Sequence, residues 1–288
     1  MNLFQYTILF GVAALAGAVN SVAGGGTLLT FPALLWAGEL HTVANATSTI
    51  ALWPGQLSSL WGYRKEVGKE WRTISLLAIP SVSGGLLGAY LLLKCGDSTF
   101  RALVPWLILL ATTLFLVQEP ISKRLKARAE AAEKENSNIE VNREAKGEAK
   151  GEGGFSTGKL LLVMPFQFFV AIYGGYFGAG IGILMLAALG FMGFTNIHRM
   201  NGLKNINGLC INAVAIATFL VSRTPIGQGV GANRNQLIDV PVALVMACGA
   251  IVGGYAGAGT AKKIGQKNVR RLIIFIGFSL TLSLLLRK

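Results

Sequence analysis

Three kinds of residue in this sequence could together hold a small anion. Gly24, Gly25 and Gly26, followed by Thr27, interrupt one apolar stretch, and Gly178, Ala179 and Gly180 interrupt another. Asn45, Ser48 and Thr49 put amide and hydroxyl groups into a third apolar stretch, and Asn201, Lys204 and Asn205 put two amides and a cation into a fourth. A glycine break leaves backbone N–H groups bare. A helix that starts just after the break aims its positive end at the gap. Anions bind at such helix starts. Positions 45, 49 and 56 are four and seven residues apart, so Asn45, Thr49 and Gln56 share one helix face, as do Asn201, Asn205 and Asn212. An unpaired amide facing lipid is costly, so these faces should point inward. Lys204 lies one turn from Asn201 and beside Asn205, where a fixed cation suits an oxyanion.

Each feature also has a plainer reading. Glycines let membrane helices approach closely, and that is the expected use of Gly84, Gly85, Gly88, Gly253, Gly254 and Gly257. Amides can simply bond between helices, for about 0.6–2 kcal/mol each. Gln56 and Asn212 fit that use as well as a binding one. Lys204 could snorkel to the membrane surface. His198 and Arg199 lie nearer a loop, where they would set topology or guide entry, while Thr47 and Ser48 could donate hydroxyl bonds. Trp53, Trp61, Tyr173 and Tyr176 read as packing or interfacial-belt residues.

Other chemistries lack their parts. No Asp or Glu falls well inside an apolar segment: Glu39 and Asp97 are in short loops and Asp239 stands at a segment end. A carboxylate proton relay is therefore not evident. No HExxH, GxSxG or Walker A pattern occurs, and no paired Cys/His set, so no metal or other cofactor is expected. Cys95, Cys210 and Cys248 show no CxxC spacing. Cys210 is the least implausible nucleophile for a membrane-embedded enzyme, the reading opposed to a binding or transport role.

The elements that must position these groups are apolar. The chain has 288 residues, 52% hydrophobic and 14% charged, and a mean hydropathy of +0.55. A soluble domain is nearer a quarter charged, so this is an all-α integral membrane protein. Its net charge of +13 sits between apolar segments, as in basic cytosolic loops, and does not imply nucleic acid. About eight segments are long enough to span a bilayer. Two more, Thr27–Ala37 and Ile181–Gly193, are short and directly follow the glycine breaks.

The sequence from Asn20 to Trp61 is echoed from Gly174 to Ala217, and Gly84–Gly88 is echoed by Gly253–Gly257. Residues 1–118 thus form a first membrane repeat and 158–288 a second. Residues 119–157 form a charged linker with a helical start at 122–135. The loop Lys262–Arg271 is purely basic while Lys94–Arg101 is nearly neutral, which places the first in the cytoplasm and the second outside. These placements agree if each short segment also crosses. The expectation is two inverted repeats of five segments each, both termini outside and the linker cytoplasmic. Re-entrant short segments would instead make the halves parallel.

The residues VAGGGTLLTFPALL with VANATSTIALWPG, and GGYFGAGIGILMLAAL with RMNGLKNINGLCINAVA, resemble the TauE/SafE sulfite exporter family, also called the 4-toluenesulfonate uptake permease family. The resemblance covers both halves and omits only the linker and the extreme ends. It implies a multi-pass transporter of the cell (inner or plasma) membrane. Its substrate would be a small sulfur-containing anion such as sulfite, sulfoacetate or another organosulfonate, commonly carried outward. A passive anion channel is the alternative. The lipid bilayer is the implied surrounding; a homodimer is left open.

Overall fold

In the computed structural model, residues 1–22, 25–62, 71–144, 157–192, 194, 197–222, 237–264 and 266–286 are described, and side-chain placement is described for most of them. They form nine helices and, among the described residues, no strand. These are α1 (Leu3–Val22), α2 (Thr27–Trp36), α3 (His41–Gly62), α4 (Trp71–Glu144), α5 (Thr157–Tyr176), α6 (Ile181–Met192), α7 (Ile197–Val221), α8 (Val240–Ile264) and α9 (Gln266–Leu286). Helices are what lipid permits, because a helix satisfies its backbone polar groups internally. Their hydroxyls follow the same rule: Thr7, Thr113, Thr218 and Thr281 each donate to the carbonyl four residues back.

Among the described residues, three helical stretches are long and apolar enough to cross a membrane by length and composition: Leu3–Asn20, Thr73–Val117 and Arg199–Val221. The second has 45 residues and is broken at Gly96, where φ is +67° and ψ is 166°. The expected loop Lys94–Arg101 is therefore one non-helical glycine between two helical arms. Likewise α8 and α9 run helical up to either side of position 265 across the expected loop Lys262–Arg271. The second arm of α4 also runs on through the start of the linker as far as Glu144, beyond the helical start expected at 122–135. At 1.5 Å per residue the ten-residue α2 is about 15 Å long, roughly half the hydrocarbon core.

The same packing scheme appears in both halves. Helix α1 packs chiefly on α8, and α5 on α4. Helix α3 also packs on α8, and α7 on α4, while α3 meets α7 and α4 meets α9. Exchanging the halves maps α1–α8 onto α5–α4 and α3–α8 onto α7–α4, and returns α3–α7 and α4–α9 to themselves. Glycines make the tightest seams. A Cβ at Gly253 would overlap the Ala14 backbone, and one at Gly249 the Phe10 carbonyl. In the other half, a Cβ at Gly84 would meet the Phe168 carbonyl, and one at Gly88 the Ile172 carbonyl. A Cβ at Gly85 would stand a looser 3.2 Å from the Ile211 Cα, so Gly84, Gly85, Gly88 and Gly253 serve helix packing, as expected. Gly257 lies outside the residues whose packing is described.

The largest core cluster joins the halves, with Phe31 of α2 stacked edge-on against Phe177 at 5.5 Å between ring centres and Phe100 against Tyr176 at 5.5 Å. The outer surface is apolar too. Phe4, Ile79, Phe169 and Tyr255 are among its exposed side chains, as lipid contact requires.

One end of the bundle gathers several loops. Thr42 donates its N–H and its hydroxyl to Asp97 Oδ1, at 3.0 and 2.9 Å, beside the Gly96 break. Glu39, between α2 and α3, hydrogen-bonds to Asp239 at the start of α8 and feels the Met1 amine. The Asp239 N–H donates to Thr47 Oγ1 at 3.1 Å. The starts of α1, α3 and α8 and the end of α2 therefore share one end, which carries the carboxyls of Glu39, Asp97 and Asp239.

Candidate functional site

Both glycine breaks reverse the chain inside the bundle. Gly25 has φ +107° and Gly178 φ +78°, a region side chains rarely enter. A Cβ at Gly25 would also run into the Phe115 ring. The breaks partly satisfy their own helix starts. Leu28 N–H donates to Gly25 O at 3.0 Å, Leu29 N–H to Gly26 O at 2.9 Å, and Gly26 N–H to Asn20 Oδ1 at 2.8 Å. In the second half Ile183 N–H donates to Gly180 O at 3.1 Å, and the Tyr173 hydroxyl to Ala179 O at 2.7 Å. The tips are thus less bare than the sequence led one to expect. What remains is the dipole at each helix start, with no side chain capping α2.

The two breaks open onto one cavity of about 60 Å³. That is room for roughly four waters, or one small ion of similar size. Asn20, Thr27, Thr49 and Gln56 line it from the first half, and Lys204, Asn205 and Asn212 from the second. Gly25 and Gly178 bring backbone to its wall, Gly182 and Gly208 keep the wall thin, and Leu52, Phe177, Ile181 and Met185 supply apolar surface. Asn212 Nδ2 donates to Gln56 Oε1 at 3.1 Å across the cavity wall.

Lys204 is 5% exposed, so it does not reach the outer surface. Its stem lies over Gly182, where a Cβ would stand 3.0 Å from Lys204 Cδ. The absent side chain at Gly182 lets the lysine cross the first turn of α6. Among the described residues Lys204 makes no ion pair. Asn205 Nδ2, next along the chain, is buried without a hydrogen-bond partner among the described residues.

Other expected site residues sit behind the wall. Asn45 is 1% exposed and donates through Nδ2 to Tyr176 O at 3.0 Å, tying α3 to the end of α5. Ser48 is buried and paired with the Thr30 hydroxyl. Gly26, Ala179 and Gly180 are buried parts of the breaks and shape them through the backbone. Asn201 is half-buried on α7 and does not line the cavity. Gly24 and the His198 side chain lie outside the described residues, and Arg199 lies over the Phe194 ring at 5.9 Å. Cys210 is half-buried and does not line the cavity.

Sequence reasoning did not place Asn20 in the site. Its signal was a polar residue at the end of an apolar segment, just ahead of a break. Gly182 and Gly208 carried no signal apart from their neighbours.

One cation, several amide and hydroxyl groups and two helix starts around a small void favour negative charge held by hydrogen bonds. Among the described residues no cluster of His, Cys, Asp and Glu could hold a metal.

The sequence comparisons agree with a transport role. A model of the family "Sulfite exporter TauE/SafE" matches residues 9–284. The chain is 26% identical over 275 residues to a "Probable membrane transporter protein" of Haemophilus influenzae, covering 95% of this chain and 92% of that one. It is 25% identical to the "Probable membrane transporter protein YfcA" of Escherichia coli K12, covering 96% of this chain and 88% of the relative. It is also 25% identical to the "Probable membrane transporter protein YunE" of Bacillus subtilis, with 96% and 97% covered. No solved structure matches it. The chain is a membrane transporter and belongs to the sulfite exporter TauE/SafE family.

Proposed function

We propose that this chain exports a small sulfur oxyanion or organosulfonate across the cell membrane by alternating access around the central cavity. The observation that carries this reading is the meeting of both breaks and Lys204 at one void. The anion would rest between Lys204 and the start of α6, with Asn205 Nδ2 as a free donor and Thr27, Thr49 and Asn20 opposite. Asn45 and Ser48, which are bonded elsewhere, and Asn201, Gly26, Ala179 and Gly180, which do not line the cavity, would shape the site without touching the anion. The exchangeable packing of the two halves supports an inverted repeat, which lets them rock about a fixed site.

The end bearing Glu39, Asp97 and Asp239 is assigned to the outside and the linker to the cytoplasm, following the excess of Lys and Arg elsewhere. Both termini are then external. Outward flow of an anion is favoured by an inside-negative potential, by about 2.3 kcal/mol per charge per 100 mV. Proteoliposomes loaded with sulfite, sulfoacetate or methanesulfonate should release anion faster when the potential is set to drive negative charge outward. Failure of every such anion to move would reject the reading. Continuous single-channel current would replace it with a passive pore.

A further inference from the structure

Below Lys204 the bundle carries a buried polar chain that the cavity does not use. Gln167 Nε2 on α5 donates to Ser81 Oγ on α4 at 2.9 Å, and Ser81 Oγ donates to Asn207 Oδ1 on α7 at 3.0 Å. Asn207 Nδ2 completes the chain by donating to Leu203 O at 2.9 Å. All three are almost wholly buried, at 2%, 0% and 2% exposure. Asn207 follows Lys204 by one helical turn.

The repeat makes this chain unusual. By the offsets that match Gly24 with Gly178, Asn45 with Asn201 and Gly84 with Gly253, the counterparts of Gln167, Asn207 and Ser81 are Ala13, Ala51 and Ala250. Each of those alanines is fully buried in the equivalent place. The counterpart of Lys204 is Ser48, a neutral residue paired with Thr30. Two departures from the repeat therefore fall together, a cation facing the cavity and a polar chain one turn away on the same helix. Alanines show that the helices pack at these positions without any polar group. A buried polar network is retained where it fixes a position rather than where it adds stability.

We infer that Ser81, Asn207 and Gln167 are positioning residues that hold α7, and with it the Lys204 ammonium, at the height and rotation where it meets an anion. This rests on the anion-site reading above. Without the chain, α7 loses its bond to Ser81 on α4 and, through it, the tie to Gln167 on α5.

The test compares methanesulfonate with dimethyl sulfone, a neutral molecule of nearly the same shape, by calorimetric titration of the purified full-length protein. Wild type should prefer the anion, and Lys204→Gln should lose most of that preference. Ser81→Ala and Asn207→Ala should each narrow the anion-to-neutral ratio by about tenfold, equivalent to roughly 1.4 kcal/mol, and Ser81→Thr, which keeps the hydroxyl, should recover it. Melting temperatures are read alongside, with Thr112→Ala as a buried-hydroxyl control whose bond stays within one helix. If Asn207→Ala does not fold, Ser81→Ala, which removes a single oxygen, decides alone. A wild type with no preference for the anion would overturn the site reading and this inference with it. A wild-type preference that survives Ser81→Ala unchanged, or that falls only as melting temperature falls in the control, would overturn this inference alone.

Discussion

Gln56 and Asn212 are counterparts in the repeat, and their side chains bond to each other at 3.1 Å. Trp53 and Leu209 are also counterparts, and the Trp53 indole N–H donates to the Leu209 carbonyl at 3.3 Å. Helices α3 and α7 are therefore tied together at the edge of the cavity by bonds between positions that match in the sequence. In the alternating access proposed above, this pair sits where the two halves meet and would serve as the pivot.

The pivot makes a symmetric prediction. Gln56→Ala and Asn212→Ala should destabilise the protein by similar amounts, and the double variant by less than their sum. A double-mutant cycle read by thermal or denaturant unfolding should return a coupling of about 0.6–1.7 kcal/mol, the range for interhelical bonds in membranes. Strict additivity would mean that the two amides do not pair.

Lys204 sets stability against binding. A buried cation without a partner is costly, and an apolar residue of similar length removes that cost. Lys204→Met should therefore melt at a higher temperature than wild type in the absence of anion, and should bind methanesulfonate at least tenfold more weakly, a loss of about 1.4 kcal/mol. A variant that melts lower while keeping its affinity would show that the lysine serves packing and not the anion.

Glu39 gives a pH dependence at the end it shares with Asp239. Burial, then the charge of Asp239, then the bond between the two side chains raise its carboxyl from the ordinary 4.5 to about 7, with the Met1 amine opposing. Asp239 accepts the Val242 N–H at 3.1 Å and so caps α8. The folded state holds the Glu39 proton while the unfolded chain loses it, so stability falls as pH rises from about 4.5 to about 7 and levels off above. The charged groups His41, Asp97 and Arg101 lie at the same end and are kept in every variant compared. Glu39→Gln should flatten the slope in that window, as melting temperature against pH would show. An unchanged slope would assign it to another group.

Much of the plan could be read from the residues. The two breaks, the shared polar faces and the cation on α7 follow from periodicity and the cost of polar groups in lipid, and the structure gathers Gly25, Thr27, Thr49, Gly178, Lys204 and Asn205 at one cavity. The sequence did not tell lining from backing. Asn45 and Thr49 share a helix face, yet Asn45 reaches the Tyr176 carbonyl and Thr49 reaches the void. One turn of depth separates those outcomes, and depth is set by the glycine seams of other helices. The Glu39–Asp239 contact was equally hidden, because it joins loops 200 residues apart that only the packed bundle brings together.

Those seams supply the last prediction. Gly11 and Gly88 are both glycines in apolar helices, and composition treats them alike. A Cβ at Gly11 would meet nothing within 4 Å, while one at Gly88 would meet the Ile172 carbonyl and, at 2.8 Å, the Tyr176 backbone nitrogen. Gly11→Ala removes backbone freedom at no steric cost and should stabilise the protein by about 0.5–1 kcal/mol. Gly88→Ala must push α4 from α5 and should destabilise it by about 1–3 kcal/mol. Because α5 ends at Tyr176, whose carbonyl holds Asn45, the second change should also weaken anion binding, and the first should not. Unfolding and binding measured on both variants check this together. Equal effects of the two substitutions would mean that α4 and α5 stand further apart than their glycines require.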